Sequence, residues 1–80
     1  MKIQLLLFGI TKDLLDTNEF VFVLSENDTV GDLKRALRLK HPQLENINSY
    51  AIAVNESYAN DNLILQEKDI VAIIPPVSGG

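Results

Sequence analysis

Two adjacent prolines, Pro75 and Pro76, constrain this chain more than any other feature. They follow directly on Ile70-Val71-Ala72-Ile73-Ile74, an apolar, β-branched run suited to a buried strand. Proline has no backbone N–H and cannot continue a central hydrogen-bond ladder. The strand is therefore predicted to stop at Pro75, and Val77-Ser78-Gly79-Gly80 must leave the body of the protein. Termini are usually polar and frayed. This one carries no charged side chain after Asp69 and closes on two glycines.

Eighty residues make one small domain. Such a chain buries roughly 60–65% of its unfolded surface, enough for a single core. With 46% apolar and 22% charged residues it is globular. Its net charge of −4 argues against nucleic acid and favours a partner with a basic groove or pocket. Cysteine is absent, which removes disulfides, thiolate metal sites and thiol nucleophiles. One histidine and one methionine offer little to a metal. The apolar opening, residues 1–10, is interrupted by Gln4 and lacks a small-residue cleavage site, so it reads as a strand and not as a signal peptide. No run approaches the ~18 apolar residues of a membrane span. The expected location is cytoplasmic, without a membrane partner. The Asn-x-Ser/Thr matches at Asn27 and Asn55 are read as turns.

Alternation sets Ile3, Leu5 and Leu7 on one face of a first strand, with Gln4, Leu6 and Phe8 on the other. Gly9 to Asn18 is a polar connection with room for a helical turn. Glu19 to Leu24 is a second strand, with Phe20, Phe22 and Leu24 opposite Val21 and Val23. Thr29-Val30-Gly31-Asp32 carries the Ser/Thr-x-x-Asp/Glu signal of a helix start. Val30, Leu33, Ala36 and Leu37 then form one apolar stripe. Lys34, Arg35, Arg38, Lys40 and His41 crowd the helix end, where they complement its dipole, and Pro42 stops it. Gln43 to Ser49 reads as a loop and Tyr50 to Val54 as a third strand. Asn55-Glu56-Ser57 reads as a tight turn, Tyr58 to Asn60 as a short return strand, and Gln66 to Asp69 as a charged turn before the last strand.

One helix on one mixed sheet is an α+β domain. A single helix covers one face only, yet the first, second and last strands are apolar on both. Either an apolar patch stays exposed, containing Leu6 or Phe8 with Ile73 or Ile74, or the loop leucines Leu14, Leu15 and Leu44 enlarge the core.

No phosphate-cradling glycine loop, metal cluster or Ser/His/Asp arrangement occurs. The carboxylates Asp13, Asp16, Glu19, Glu26 and Asp28 cluster in turns as solvated charges. The remaining reactive group is the Gly80 α-carboxylate. Glycines without Cβ can thread a narrow channel. The carboxylate, with a pKa of about 3.5, is ionised near neutrality and needs activation, for example as an acyl-adenylate. From Pro76 to Gly80 the tail reaches at most about 13–14 Å.

The ending Pro75-Pro76-Val77-Ser78-Gly79-Gly80 resembles that of the small, sulfur-carrying subunit of molybdopterin synthase, a ubiquitin-like family. Phe8-Gly9 with Lys12 and Leu14, Ala53-Val54-Asn55, and Asp69-Ile70-Val71-Ala72 resemble its first, middle and last strands. Lys68 departs from the pattern, which commonly has glycine there, so this turn is expected to differ. The resemblance implies a β-grasp fold over residues 1–76, of four to five strands, with first and last strands parallel at the centre, and a flexible tail of residues 77–80. It implies that a ubiquitin-activating-type adenylyltransferase uses ATP to adenylate Gly80. A sulfur donor then makes a thiocarboxylate, and the charged carrier attacks a pterin precursor inside the large synthase subunit, building part of the dithiolene that holds molybdenum. No cofactor is bound by the carrier itself. The catalytic lysines belong to the large subunit, in a heterotetramer of two small and two large chains. Gly80 would carry the sulfur and Gly79 allow threading. Pro75, Pro76, Val77 and Ser78 would line the tail's path, and Phe8, Leu6 and Lys12, with Pro75 and Pro76, would meet the partner. Three other readings remain open on the residues: a carrier for thiamin or tRNA thiolation, a protein modifier joined through Gly80, and an interaction module with an incidental tail.

Overall fold

The computed structural model describes residues 1–76. The chain runs β1 (Lys2–Leu7), α1 (Ile10–Leu15), β2 (Glu19–Val23), α2 (Val30–Lys40), two 3-10 turns (Pro42–Leu44 and Ile47–Ser49), β3 (Ala51–Val54), β4 (Ser57–Tyr58) and β5 (Ile70–Ile74). The strands make one sheet in the order β2-β1-β5-β3-β4. β1 and β5 pair in parallel at its centre, Leu5 beside Val71 and Leu7 beside Ile73. The other pairs are antiparallel. One main helix on a mixed five-stranded sheet is the β-grasp arrangement expected.

Alternation in the sequence separates two faces of the sheet, and the structure shows which of them is covered. Ile3, Leu5, Leu7, Phe22, Leu24, Ile52, Val54, Val71 and Ile73 point to one side and are buried. There they meet Val30, Leu33 and Leu37 of α2. At about 25 cal/mol per Å² of apolar surface removed from water, this layer is the main stabilising term of the domain. α2 starts on the expected capping box: the Thr29 hydroxyl accepts from the Asp32 N–H at 3.2 Å, and the Asp32 carboxylate accepts from the Thr29 N–H at 2.9 Å. That backbone bond, followed by the Thr29 hydroxyl and the Arg35 charge, holds the Asp32 carboxyl below its ordinary value of 3.8. Helix geometry ends at Lys40, and His41 caps it through its N–H to the Leu37 carbonyl.

Several local expectations are corrected. The segment after Pro42 is two 3-10 turns whose apolar residues, Leu44 and Ile47, are fully buried. Leu44 therefore does enlarge the core; Leu15 packs at its margin, while Leu14 is exposed. The turn after β3 has two residues, Asn55 and Glu56, both at positive φ (50° and 74°). Such a turn matches the twist of a hairpin, so Ser57 already pairs with Val54 and β4 begins one residue earlier than the pattern suggests. Lys68 occupies the left-handed region (φ 71°), so the turn keeps the geometry that glycine would supply. Four contacts around Lys68 and Asp69 stabilise it. Lys68 N–H donates to the Lys2 carbonyl at 2.8 Å, and Asp69 accepts from the Gln66 N–H and the Asn55 side-chain amide. The Asn55 side-chain carbonyl in turn accepts from Ile70 N–H.

Candidate functional site: the open sheet face and the exit of the last strand

The face of the sheet away from α2 has no layer on it among the described residues. Strand register assembles it. Leu6 of β1 lies level with Ala72 of β5, Ala72 with Ala53 of β3, and Ala53 with Tyr58 of β4. One step along, Ala51 is level with Ile74, and Phe8 follows at the end of β1. The result is a band with alanines in the middle and larger apolar groups at its margins. Leu6, Ala72 and Ile74 are half-buried. Phe8 and Ile70 are 49% and 47% exposed, and Tyr58 is 78% exposed. Water-exposed apolar side chains gathered this way on a small domain mark an interaction surface.

Because β1 and β5 are parallel, both finish at the same end of the sheet. The Phe8 N–H still donates to the Ile73 carbonyl, at 3.3 Å. There the chain turns sharply at Gly9 (φ 56°, ψ −135°), a conformation that disfavours a side chain. A Cβ on Gly9 would sit 3.0 Å from Cγ of Pro75. The missing side chain lets Pro75 lie against the β1–α1 corner. Thr11, fully buried, braces that corner through its hydroxyl, which donates to the Phe8 carbonyl at 2.5 Å. Beside the corner lies a shallow depression of about 430 Å³, lined among others by Leu6, Phe8, Gly9 and Lys12.

The structure thus brings together Leu6, Phe8 and Lys12, singled out separately in the sequence, at the end of the sheet where Pro75 and Pro76 follow β5. Of the two isoleucines proposed for an apolar patch, Ile73 is in the core at 0% exposure, and Ile74 is the one on the open face. Register makes the choice between them: Ile73 is level with Leu7, an inward residue. Ala51, Ala53, Ala72 and Tyr58 are not among the residues expected to meet a partner. Their signal was available in the period of two, but only the pairing register shows that they fall in one band. Val77, Ser78, Gly79 and Gly80, assigned to the tail path and its reactive end, lie outside the described residues.

Among the described residues no group of histidines and carboxylates could hold a metal ion, and no helix is long and apolar enough to cross a membrane. The side chains at the corner are an aromatic, aliphatics, Asn18, and one charge of each sign, Lys12 and Glu19. They can bind and orient a partner.

A mixed β-grasp sheet with parallel first and last strands at its centre and one main helix places the chain in the ubiquitin-like fold class. The chain belongs to the ThiS family, whose model matches residues 5–80. Relatives that match it along its whole length include molybdopterin synthase sulfur carrier subunits. That of Arabidopsis thaliana is 36% identical over 81 residues, a match covering all of this chain and 84% of the relative. Among solved structures, SAMP1 from Haloferax volcanii superposes with a TM-score of 0.88 at 25% identity, with both chains fully covered. A chain in the protein–protein complex of subunits 1 and 2 of the molybdopterin-converting factor from Helicobacter pylori is 27% identical. It superposes with a TM-score of 0.71, again with both chains fully covered.

Proposed function

We propose that this protein is the sulfur carrier of a molybdopterin synthase, with residues 1–76 as a docking body and residues 77–80 as the tail that carries the sulfur. The Gly80 carboxylate attacks the α-phosphorus of ATP on an adenylyltransferase of the ubiquitin-activating type, and pyrophosphate leaves. A sulfur nucleophile at the level of hydrosulfide then attacks the acyl carbon and AMP leaves, giving a terminal thiocarboxylate. On the large synthase subunit this sulfur forms a C–S bond at a carbon of the pterin precursor as that carbon's bond to oxygen breaks; water then hydrolyses the resulting thioester, leaving the thiol on the precursor and returning Gly80 to its carboxylate.

The observation that carries the reading is the convergence at one end of the sheet. The bare apolar band, the Phe8–Lys12 corner and the Pro75–Pro76 exit lie side by side. A partner covering the band with Leu6 and Phe8 as apolar anchors receives the tail directly from β5. Lys12 adds a cation at the rim, where such charges govern orientation more than affinity. The solved pair of subunits 1 and 2 from Helicobacter pylori supports a large subunit as that partner. Two carriers on a dimer of large subunits complete the assembly we propose.

Reconstitution tests the reading. The thiocarboxylated chain, the large subunit and the pterin precursor should yield the dithiolene; absence of that product would sink it. A second reading, attachment of Gly80 to lysines of other proteins, has the likeness to SAMP1, a small archaeal modifier protein, in its favour. It requires covalent conjugates that survive denaturing gels and disappear when Gly80 is deleted.

A further inference from the structure

The two outer strands of the sheet differ sharply. β4 is two residues long and offers little edge. β2 is five residues long, Glu19-Phe20-Val21-Phe22-Val23, without proline, glycine or lysine. Its ladder to β1 fixes which backbone groups are free. Met1 and Leu24 exchange both hydrogen bonds (2.8 and 2.7 Å), and Leu7 N–H donates to the Asn18 carbonyl. Hydrogen-bonded pairs alternate along an antiparallel ladder, so Phe20 and Phe22 point their backbone groups at β1, and Val21 and Val23 point theirs outward. Exposed edges of this kind are normally blunted by charge, proline or a bulge. Here Val21 and Val23 are instead 56% and 66% exposed.

A groove of about 350 Å³ runs along this edge, between β2 and the end of α2. Phe20, Phe22 and Leu15 line it on the apolar side, Lys40 and His41 on the helix side. Phe20 and Phe22 meet edge-on at 6.3 Å, His41 meets Phe20 edge-on at 5.8 Å, and Lys40 Nζ stands 5.8 Å from the Phe22 ring centre. The rings are thus fixed in place, and a cation is held over that of Phe22. Among the described residues no carboxylate lines the groove.

We infer that the β2 edge is a second binding site, separate from the tail exit, that takes an extended segment of another protein as an added strand. Its occupant has apolar side chains beside Val21 and Val23, and on the alternate positions a carboxylate facing Lys40. The free N–H and C=O groups of Val21 and Val23 supply the ladder, and side-chain pockets on alternate sides supply the selectivity. Charge separates this occupant from a second copy of the same chain. Antiparallel self-pairing of β2 would bring the acidic flank Asp16 and Glu19 of one copy toward Glu26 and Asp28 of the other. Both copies would also carry a net charge of −4.

The test uses the full chain, labelled with ¹⁵N, and two synthetic peptides: one alternating valine with glutamate, one alternating valine with lysine. The glutamate peptide should shift the amide signals of residues 20–24 and 40–41 and bind at least tenfold tighter than the lysine peptide. Lys40→Glu should reverse that preference. Val21→Pro removes an outward N–H without touching the β1 ladder and should abolish binding of both, with the remaining spectrum unchanged. Equal binding of the two peptides, no binding of either, or shifts confined to Leu6, Phe8 and Ala72 would overturn the proposal. So would β2 shifts that grow with protein concentration in the absence of peptide, which would assign the edge to a second copy.

Discussion

On one face of the central strand pair, Ile3, Leu5, Leu7, Val71 and Ile73 are no more than 4% exposed. On the other, Leu6, Ala72 and Ile74 are half-buried and Ile70 is nearly half exposed. The same two strands build both faces, from the same kinds of residue. The difference lies in what covers them: a single helix and two 3-10 turns fill the first face and leave the second bare. Apolar character on the first face holds the domain together. On the second, less of it is withdrawn from water, and the use we propose for it is contact with a partner beside Pro75 and Pro76.

The largest effect separates the tail from both faces. Deleting Gly79 and Gly80 should abolish sulfur transfer in a reconstituted synthase while leaving the thermal midpoint unchanged. Residual transfer above the carrier-free control would break the assignment of the reactive group. The second test sets one face against the other. Leu5→Ala should cost about 2–5 kcal/mol in chemical denaturation, because the buried site cannot collapse fully. Phe8→Asp should stay within about 0.5 kcal/mol of wild type, and should weaken binding to the large subunit at least tenfold by calorimetry. If Phe8→Asp unfolded the domain, or left the affinity untouched, the two faces would not divide the work in this way.

Smaller effects sharpen the first face. Thr29→Ala removes the cap of α2 and should cost about 1 kcal/mol. It should also let the Asp32 carboxyl rise toward 3.8, read from its side-chain carbon shift against pH. The sign follows from linkage. Asp32 is held below its unfolded value, so its contribution is complete above about pH 4 and fades as the pH falls through the folded value. An acid limb identical in wild type and Thr29→Ala would remove the capping box from this account. The smallest change concerns Lys68, in the left-handed region at φ 71°. Lys68→Gly relieves that strain at the cost of a more mobile unfolded chain, and should stabilise by about 0.5–1 kcal/mol. A loss of stability would mean that the lysine side chain itself supports the turn.

Much of this was legible in the sequence because period and punctuation agree. The Ile3-Leu5-Leu7 alternation, the Thr29–Asp32 signal and the Pro75 stop each depend on neighbours in the chain, and each appears where expected. Leu44 and Ile47 were hidden, because short 3-10 turns have no lasting period. The band formed by Leu6, Ala72, Ala53 and Tyr58 was hidden for a different reason: it exists only through register among four strands. The contact of Pro75 with Gly9 joins residues 66 positions apart and depends on a missing side chain, for which local pattern has no sign. The residues chosen for partner contact, Leu6, Phe8 and Lys12, were found as separate hints, and their shared depression emerged from the parallel pairing of β1 with β5.

The central claim is that the folded body presents the Gly80 end for sulfur chemistry. Intact and fragment mass spectrometry of the full chain, after incubation with the activating enzyme, ATP and a sulfur source, tests it most directly. The account predicts a gain equal to one oxygen exchanged for sulfur, confined to the fragment containing Gly80 and absent without ATP. An unchanged mass, or sulfur found on any other fragment, would contradict it.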